Sequence, residues 1–127
     1  YVHENLKVGD KVRLTAPFGV FTVDKDDEEN IDSAVLMSAG VGVTPMVNIQ
    51  RKLGDKVQLV VHVDKTDSDH AFKDEMAQAT GGRTLTKYTQ KEGRVDAKTL
   101  VGETLAKLDG TDHTFFICGP ERWMADV

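Results

Sequence analysis

Two glycines separated by one residue, with a proline three positions further on, form the most informative motif of the chain. Gly40 and Gly42 follow an apolar strand predicted over Ala34–Met37, and a helical pattern continues over Pro45–Leu53. Glycine lets a backbone turn sharply and approach a ligand closely, and at Gly42 we expect a pyrophosphate in the space that a side chain would fill. The start of a helix adds free N–H groups and a positive dipole end. The motif therefore predicts a dinucleotide site.

The residues beside the two glycines complete the predicted loop. We expect Thr44 to cap the helix with its hydroxyl and Pro45 to take the first helical position, where its missing N–H costs nothing. Val41 and Val43 belong to the same predicted contact segment. A tight strand–helix turn without a ligand has the same glycines, so the motif alone leaves both interpretations open.

The composition of the 127 residues limits the class of protein. A hydrophobic content of 39% and a charged content of 29% are typical of one globular domain with a core. The net charge of −5 argues against nucleic acid or an anionic membrane as the main partner. The longest apolar stretch contains glycine and proline and is too short to span a bilayer. With one cysteine and no recognisable signal peptide, we expect a cytoplasmic protein without an internal disulfide or a cysteine-ligated cluster.

Strands and helices are predicted to alternate through most of the chain. Residues 6–23 alternate and turn like β structure, and the acidic run over residues 24–30 is predicted to be a solvated linker. The predicted strands are Ala34–Met37, Val57–Val63, Thr84–Tyr88 and Thr114–Ile117. The predicted helices are Pro45–Leu53, Ala71–Ala79, Asp96–Leu108 and one starting near Pro120. This order predicts an α/β fold, a three-layer Rossmann-like parallel sheet preceded by a short β segment.

Ligands of such a sheet bind at the carboxyl ends of its strands, where the second strand offers three candidates. His62 could face the nucleotide, although a hydrogen-bonded core histidine is commoner. Asp64 lies 24 residues after Gly40, near the spacing at which a carboxylate binds a free ribose and repels a 2′-phosphate. Lys65 would attract that phosphate, so NADH and NADPH both stay open, with NADH favoured. No spacing of histidines, cysteine or carboxylates indicates a metal site.

A second motif, Cys118-Gly119-Pro120, follows the predicted last strand. Together with the Gly-x-Gly-x-x-Pro turn in this order, it resembles the ferredoxin–NADP reductase superfamily. The resemblance implies that Cys118 lies beside the nicotinamide at the catalytic position and that Gly119 and Pro120 frame it. The alternative interpretation of Cys118 is a small buried apolar residue.

Further segments narrow this resemblance to the C-terminal reductase region of flavohaemoglobins (nitric oxide dioxygenases). They are the segments Val8–Phe21, Ser38–Met46, Asp69–Glu75 and Gly93–Asp96, together with His62. The resemblance implies that residues 1–30 are the remnant of an FAD-binding β-barrel with its linker. Residues 31–127 would be an NAD(P)-binding domain that lacks its last strand.

The activity implied by this resemblance is hydride transfer from NADH or NADPH to FAD. Electrons would then pass to haem, if a globin domain exists elsewhere, or to another acceptor. The implied partners are the pyridine nucleotide, the FAD-binding lobe and a globin domain. We expect the chain alone to be inactive, because most of the flavin lobe is outside it. A non-catalytic nucleotide-binding module and a fragment of a stand-alone flavin reductase are the alternatives.

Overall fold

A computed structural model describes residues 1–110 and 112–127. The strands are β1 (Ala34–Ala39), β2 (Val57–Asp64), β3 (Thr84–Tyr88) and β4 (Thr114–Cys118). The helices are α1 (Val2–Asn5), α2 (Lys25–Asn30), α3 (Val43–Leu53), α4 (Lys73–Ala79), α5 (Thr89–Glu92), α6 (Ala97–Leu105) and α7 (Glu121–Asp126). Short 3₁₀ turns cover Gly40–Gly42, Gly54–Lys56 and Asp67–Asp69. Within the described ranges, no helix combines the length and apolar character needed to cross a bilayer.

The four strands form one parallel sheet in the order β3-β2-β1-β4. All six residues of β1 are buried, as expected for an inner strand covered on both faces. The chain runs outward from β1 to β2 and β3, and β4 then pairs on the other side of β1. The strand order therefore reverses between β1 and β4, which is where the carboxyl edge of such a sheet opens a crevice.

Helices cover both faces of the sheet and build two separate apolar cores. On one face, Met46, Val47 and Leu53 of α3 pack with Met76 of α4 against Leu36 and other strand residues. On the other face, Leu100 of α6 and Trp123 of α7 lie in a cluster with Met37, Val61 and Leu85. The predicted three-layer α/β fold with a parallel sheet is confirmed.

The predicted strands all form, and three of them extend one or two residues further than expected, to Ala39, Asp64 and Cys118. The helix predicted over Pro45–Leu53 starts at Val43, since a 3₁₀ turn leads directly into it. The helices predicted over Ala71–Ala79 and Asp96–Leu108 shorten to α4 and α6, and Asp96 caps α6 as expected by accepting from the Thr99 N–H.

Two predictions for the first thirty residues are wrong. Residues 6–23 form no strand, because no neighbouring strand supplies them with ladder hydrogen bonds. The acidic run contains α2, which begins with a capping box between Asp24 and Asp27. This helix also contacts the rest of the domain, because Glu28 forms an ion pair with Lys52 and its carbonyl oxygen accepts from Lys56.

Candidate functional site

The glycine loop and the turn after β4 meet where the strand order reverses, and we call this place the β1–β4 junction (residues 40–44 and 118–120). A Cβ atom built on Gly42 would lie 2.6 Å from the carbonyl carbon of Cys118 and 2.9 Å from the Gly119 nitrogen. Gly42 is therefore required by contact between two backbones. The expectation that a pyrophosphate fills the space of a Gly42 side chain is wrong, because Cys118 and Gly119 occupy it.

Gly40 has the property that was expected of Gly42. Its φ of +53° is in the left-handed region that favours glycine, and a Cβ atom there would meet no heavy atom within 4 Å. The loop backbone at Gly40 is thus free on the side where a side chain would stand. Next to it, Val41 is 82% exposed, whereas the Val43 side chain is buried in the core.

The amino terminus of α3 faces this junction without a side-chain cap. Thr44 does not cap the helix, because its hydroxyl donates backwards to the Val41 carbonyl over 3.0 Å. Pro45 occupies the third helical position, where the first turn still tolerates a missing N–H. No side chain therefore competes with an anion at the start of this eleven-residue helix, although the Val43 N–H already donates to the carbonyl oxygens of Gly40 and Val41.

The Cys118-Gly119-Pro120 turn is held in place by packing. A Cβ atom on Gly119 would lie 2.8 Å from the Trp123 ring and 3.0 Å from the Ala39 methyl group. The turn therefore fits closely between the end of β1 and α7. Cys118 is half-buried against the α3 core, and exposed Pro120 leads into α7.

A buried polar chain joins the ends of β1 and β2. Ser38 and His62 are paired positions of the two strands and are 0% and 1% exposed. Ser38 Oγ lies 2.8 Å from His62 Nδ1, and His62 Nε2 lies 3.0 Å from Asp64 Oδ2. An ionised carboxylate only accepts, so Nε2 carries the proton and Nδ1 accepts from the serine hydroxyl. His62 is thus a hydrogen-bonded core histidine, the commoner of the two expected cases.

The contacts between polar side chains continue from His62 through His70 to β3. The rings of His62 and His70 stack with centroids 4.0 Å apart, and His70 Nδ1 lies 3.1 Å from the Tyr88 hydroxyl. Tyr88 donates to Asp67, which also pairs with Lys73. We call these side chains, with His62 and Asp64, the β2–β3 network. Burial and the neighbouring His62 lower the pKa of His70 to about 4, and burial lowers the pKa of His62 despite the nearby Asp64 carboxylate.

The order Ser38–His62–Asp64 has the members of a hydrolytic triad but not its chemistry. The serine hydroxyl is completely buried, so no substrate carbonyl can reach it. Within the described residues, no group of histidines, cysteine and carboxylates is arranged to hold a metal ion. The groups that a ligand can reach at the carboxyl edge are therefore those of the open loop at Gly40 and of the adjoining start of α3.

Comparisons with known proteins identify the domain. The family model of the oxidoreductase NAD-binding domain matches residues 36–127. The chain belongs to this family. It is 34% identical over 131 residues to the beta subunit of a heme-dependent oxidative N-demethylase of Ectopseudomonas mendocina, covering 100% of this chain and 38% of the relative. It is 36% identical over 135 residues to a flavohemoprotein of Vibrio cholerae, covering 100% of this chain and 33% of the relative.

The fold of this NAD-binding domain also matches a solved structure. The flavohem-like FAD/NAD-binding domain of nitric oxide dioxygenase from Vibrio cholerae gives a TM-score of 0.55 at 24% identity, covering 94% of this chain and 63% of that chain. This likeness shows the fold. The resemblance to the reductase region of flavohaemoglobins is confirmed, and the chain spans about a third of the length of the curated relatives it matches.

The remaining predicted contact residues of the NAD-binding domain lie at the carboxyl end of β2. The Asp64 side chain is 12% exposed, and its second oxygen accepts from the Lys65 N–H over 2.7 Å. Lys65 is exposed, and its carbonyl oxygen accepts from the Gln90 N–H. The carboxylate is thus turned towards its own strand, whereas the lysine side chain is open to solvent.

Sequence reasoning missed Ser38, His70 and Tyr88. The available signal for Ser38 was that it is the polar residue of an otherwise apolar strand, but its pairing with a histidine depends on the strand register. His70 and Tyr88 come from two segments that meet only when β3 lies beside β2.

Proposed function

We propose that this domain binds NADH or NADPH across the β1–β4 junction. The pyrophosphate would lie on the loop over residues 40–44, and the nicotinamide beside Cys118, Gly119 and Pro120. The observation that carries this proposal is the contact between the backbones of Gly42 and Cys118. Because of this contact, the free side of Gly40, the uncapped start of α3 and the cysteine turn form one continuous edge.

The residues present fit a dinucleotide by their donor chemistry. Amide groups at a helix start stabilise phosphate charge, and glycine permits close approach of the backbone. Gly119, packed between Ala39 and Trp123, would keep the nicotinamide side of the site in a fixed position. A bound nicotinamide would supply the hydride, and the residues of this domain would bind and orient the nicotinamide ring. No side chain of the junction has to act as a general acid or base.

The flavin belongs to a partner lobe in this proposal. Residues 6–22 form no strand, and Phe18 and Val20 are 93% and 96% exposed. These exposed apolar side chains fit the packing surface of an FAD-binding lobe. That lobe would take the hydride and pass electrons to a haem or another acceptor, in a protein that we expect in the cytoplasm.

The choice of coenzyme is the finest part of the proposal. The Asp64 carboxylate would disfavour a 2′-phosphate by like-charge repulsion, which supports NADH. Lys65 acts in the opposite direction through its exposed ammonium group. The hydrogen bonds from His62 and the Lys65 N–H hold the carboxylate in place, so we retain the preference for NADH but expect it to be modest.

Calorimetric titration of the chain with NADH and NADPH tests this function. We expect one nucleotide per chain and negligible NADH-driven reduction of ferricyanide in the absence of a flavin lobe. Absence of binding for both nucleotides would contradict the proposal. Turnover by the colourless chain alone would contradict the assignment of the flavin to a partner lobe. Binding that persists while an added flavin lobe stays oxidised would favour the non-catalytic module.

A further inference from the structure

We infer that His62 is a positioning residue for the nucleotide loop, acting through the Ser38 hydroxyl at the end of β1. The inference rests on the proposed function of the loop. His62 is buried and cannot contact substrate, but through Ser38 it would hold the start of the loop in place.

The geometry of three strand ends supports this role. Ser38 is two residues before Gly40, and it is paired with His62 on one side and with Cys118 on the other. Partners in register on neighbouring parallel strands present their side chains to the same face of a sheet. Ser38 therefore stands between the histidine of β2 and the cysteine turn of β4, just where β1 passes into the loop.

The hydrogen bonds among Ser38, His62 and Asp64 have defined donors and acceptors. Asp64 accepts from Nε2, which leaves Nδ1 as an acceptor for Ser38 Oγ at 2.8 Å. A second acceptor, the Val61 carbonyl oxygen, lies 3.4 Å from the same hydroxyl. Neutral His62 thus directs the hydroxyl towards the ring. A proton on Nδ1 would make His62 a donor to Ser38 Oγ and direct the hydroxyl towards Val61.

The charged and titratable groups around His62 favour its neutral form at neutral pH. Burial lowers its pKa, and the Asp64 carboxylate on the same strand opposes this effect. His70 stacks on the His62 ring and has a pKa of about 4. Beyond His70, the charges of Asp67 in the 3₁₀ turn and Lys73 of α4 pair with each other, and the Tyr88 hydroxyl of β3 donates to Asp67. Below the histidine pKa values, we expect nucleotide affinity to fall as the Ser38 hydroxyl changes partner.

The tautomer and the loop can be tested without nucleotide. In the ¹⁵N-labelled 127-residue chain at pH 7.5, NMR is expected to show His62 as the Nε2–H tautomer. Ser38→Ala should shift the amide signals of Gly40, Val41 and Gly42. Thr80→Val is the matched control, because it removes another fully buried hydroxyl, bonded to the Met76 carbonyl, and should leave these signals unchanged. An Nδ1–H tautomer, or loop signals that stay in place in Ser38→Ala, would overturn the inference.

Two substitutions of His62 separate the roles of its two ring nitrogens. His62→Asn keeps an acceptor near the Nδ1 position for Ser38, and His62→Gln keeps a donor near the Nε2 position for Asp64. Because the hydroxyl contact matters for the loop, we expect Ser38→Ala and His62→Gln to weaken NADH binding about five-fold, whereas His62→Asn should retain most of the wild-type affinity. In Ser38→Ala, the affinity should also lose its dependence on pH below 6.5.

The outcomes distinguish the inference from the proposed function. A wild-type chain that binds neither NADH nor NADPH contradicts the function, and the tautomer and loop signals still decide the inference. Wild-type binding that is equal in Ser38→Ala and Thr80→Val, both folded by circular dichroism, overturns the inference and leaves the function in place. Should both His62 variants unfold, the wild-type tautomer and Ser38→Ala remain decisive.

Discussion

The carboxyl edge of the sheet contains two regions of opposite construction. At the β1–β4 junction, backbones touch, glycines replace side chains, and the start of α3 has no cap. In the β2–β3 network, each side chain is hydrogen-bonded to, ion-paired with or stacked on a neighbouring side chain, from Asp64 through the stacked histidines to Lys73. Free backbone groups can accept a ligand, whereas satisfied side chains hold two strands together. This difference is the reason why we propose binding for the first region and support for the second.

Gly42→Ala is expected to have the largest effect, because its methyl group would collide with the Cys118 carbonyl group. Backbone atoms cannot move aside as a flexible side chain does, so we expect a loss of about 3 kcal/mol or more in the free energy of unfolding. Urea titration measures it. Gly102→Ala is the control, since a helical Cβ there meets nothing within 4 Å and should be neutral or stabilising. Equal stability of the two variants would contradict the close contact of the junction.

Gly40→Ala should affect both stability and binding. Its positive φ costs an alanine about 1–2 kcal/mol, and the methyl group would enter the space assigned to the pyrophosphate. We expect NADH affinity to fall about ten-fold by calorimetry, equivalent to about 1.4 kcal/mol. Gly54→Ala is the control for a positive φ in open space away from the site, since Gly54 lies at the far end of α3 with a φ of +55° and a ψ of −124°. If Gly54→Ala weakens NADH equally, the loss reflects strain and not the site.

The β2–β3 network makes the stability depend on pH. Unfolding returns the pKa of His70 from about 4 to its ordinary value of 6.5, so the unfolded chain binds more protons between these values. The stability that the folded chain has while His70 is neutral is fully present above pH 6.5 and is lost as the pH falls towards 4. We expect the urea midpoint to decrease over this window, and His70→Gln to reduce the slope. A wild-type midpoint that rises as the pH falls from 6.5 to 4 would show the sign to be wrong.

The smallest expected effect is the change in the ratio of NADH to NADPH affinity when Asp64 or Lys65 is substituted. Asp64→Asn removes the charge and keeps one acceptor oxygen in place of two, so it can accept from only one of the His62 Nε2–H and Lys65 N–H donors. We expect NADPH affinity to rise about two- to three-fold relative to NADH. Asp64→Ala is a poorer test, because it leaves the buried His62 Nε2–H without its acceptor. Lys65→Ala, compared in the same calorimetric series, should move the ratio towards NADH. An unchanged ratio in Asp64→Asn means that the carboxylate does not face the ribose.

Much of the fold could be predicted, because the strands are apolar runs separated by helical patterns. The four strands and the parallel sheet were found in this way, and so were the two loops that meet at the β1–β4 junction. The β structure expected over residues 6–23 failed, since alternation creates a strand only where a neighbour completes the ladder. Helix α2 was missed although Asp24 and Asp27 have the spacing of a capping box.

The details of the site depended on contacts that no spacing reveals. The sequence indicated that Gly42 was needed, but the reason lies in the Cys118 carbonyl, which comes from a strand 76 residues away in the chain. The pairing of Ser38 with His62 likewise follows from the register of β1 and β2. The residue types at the strand ends predicted a binding edge. Only the strand order and register show that the β1–β4 junction is its open part, whereas side chains fill the β2–β3 network.

The most direct test of nucleotide binding at the β1–β4 junction is chemical-shift mapping of the ¹⁵N-labelled chain during titration with NADH. We predict the largest amide shifts over residues 40–44 and at Cys118 and Gly119, with smaller shifts at Asp64 and Lys65. Arg83 and His113, at the amino edge of the sheet, should not respond. Largest shifts at that amino edge, with the glycine loop unchanged, would contradict the account.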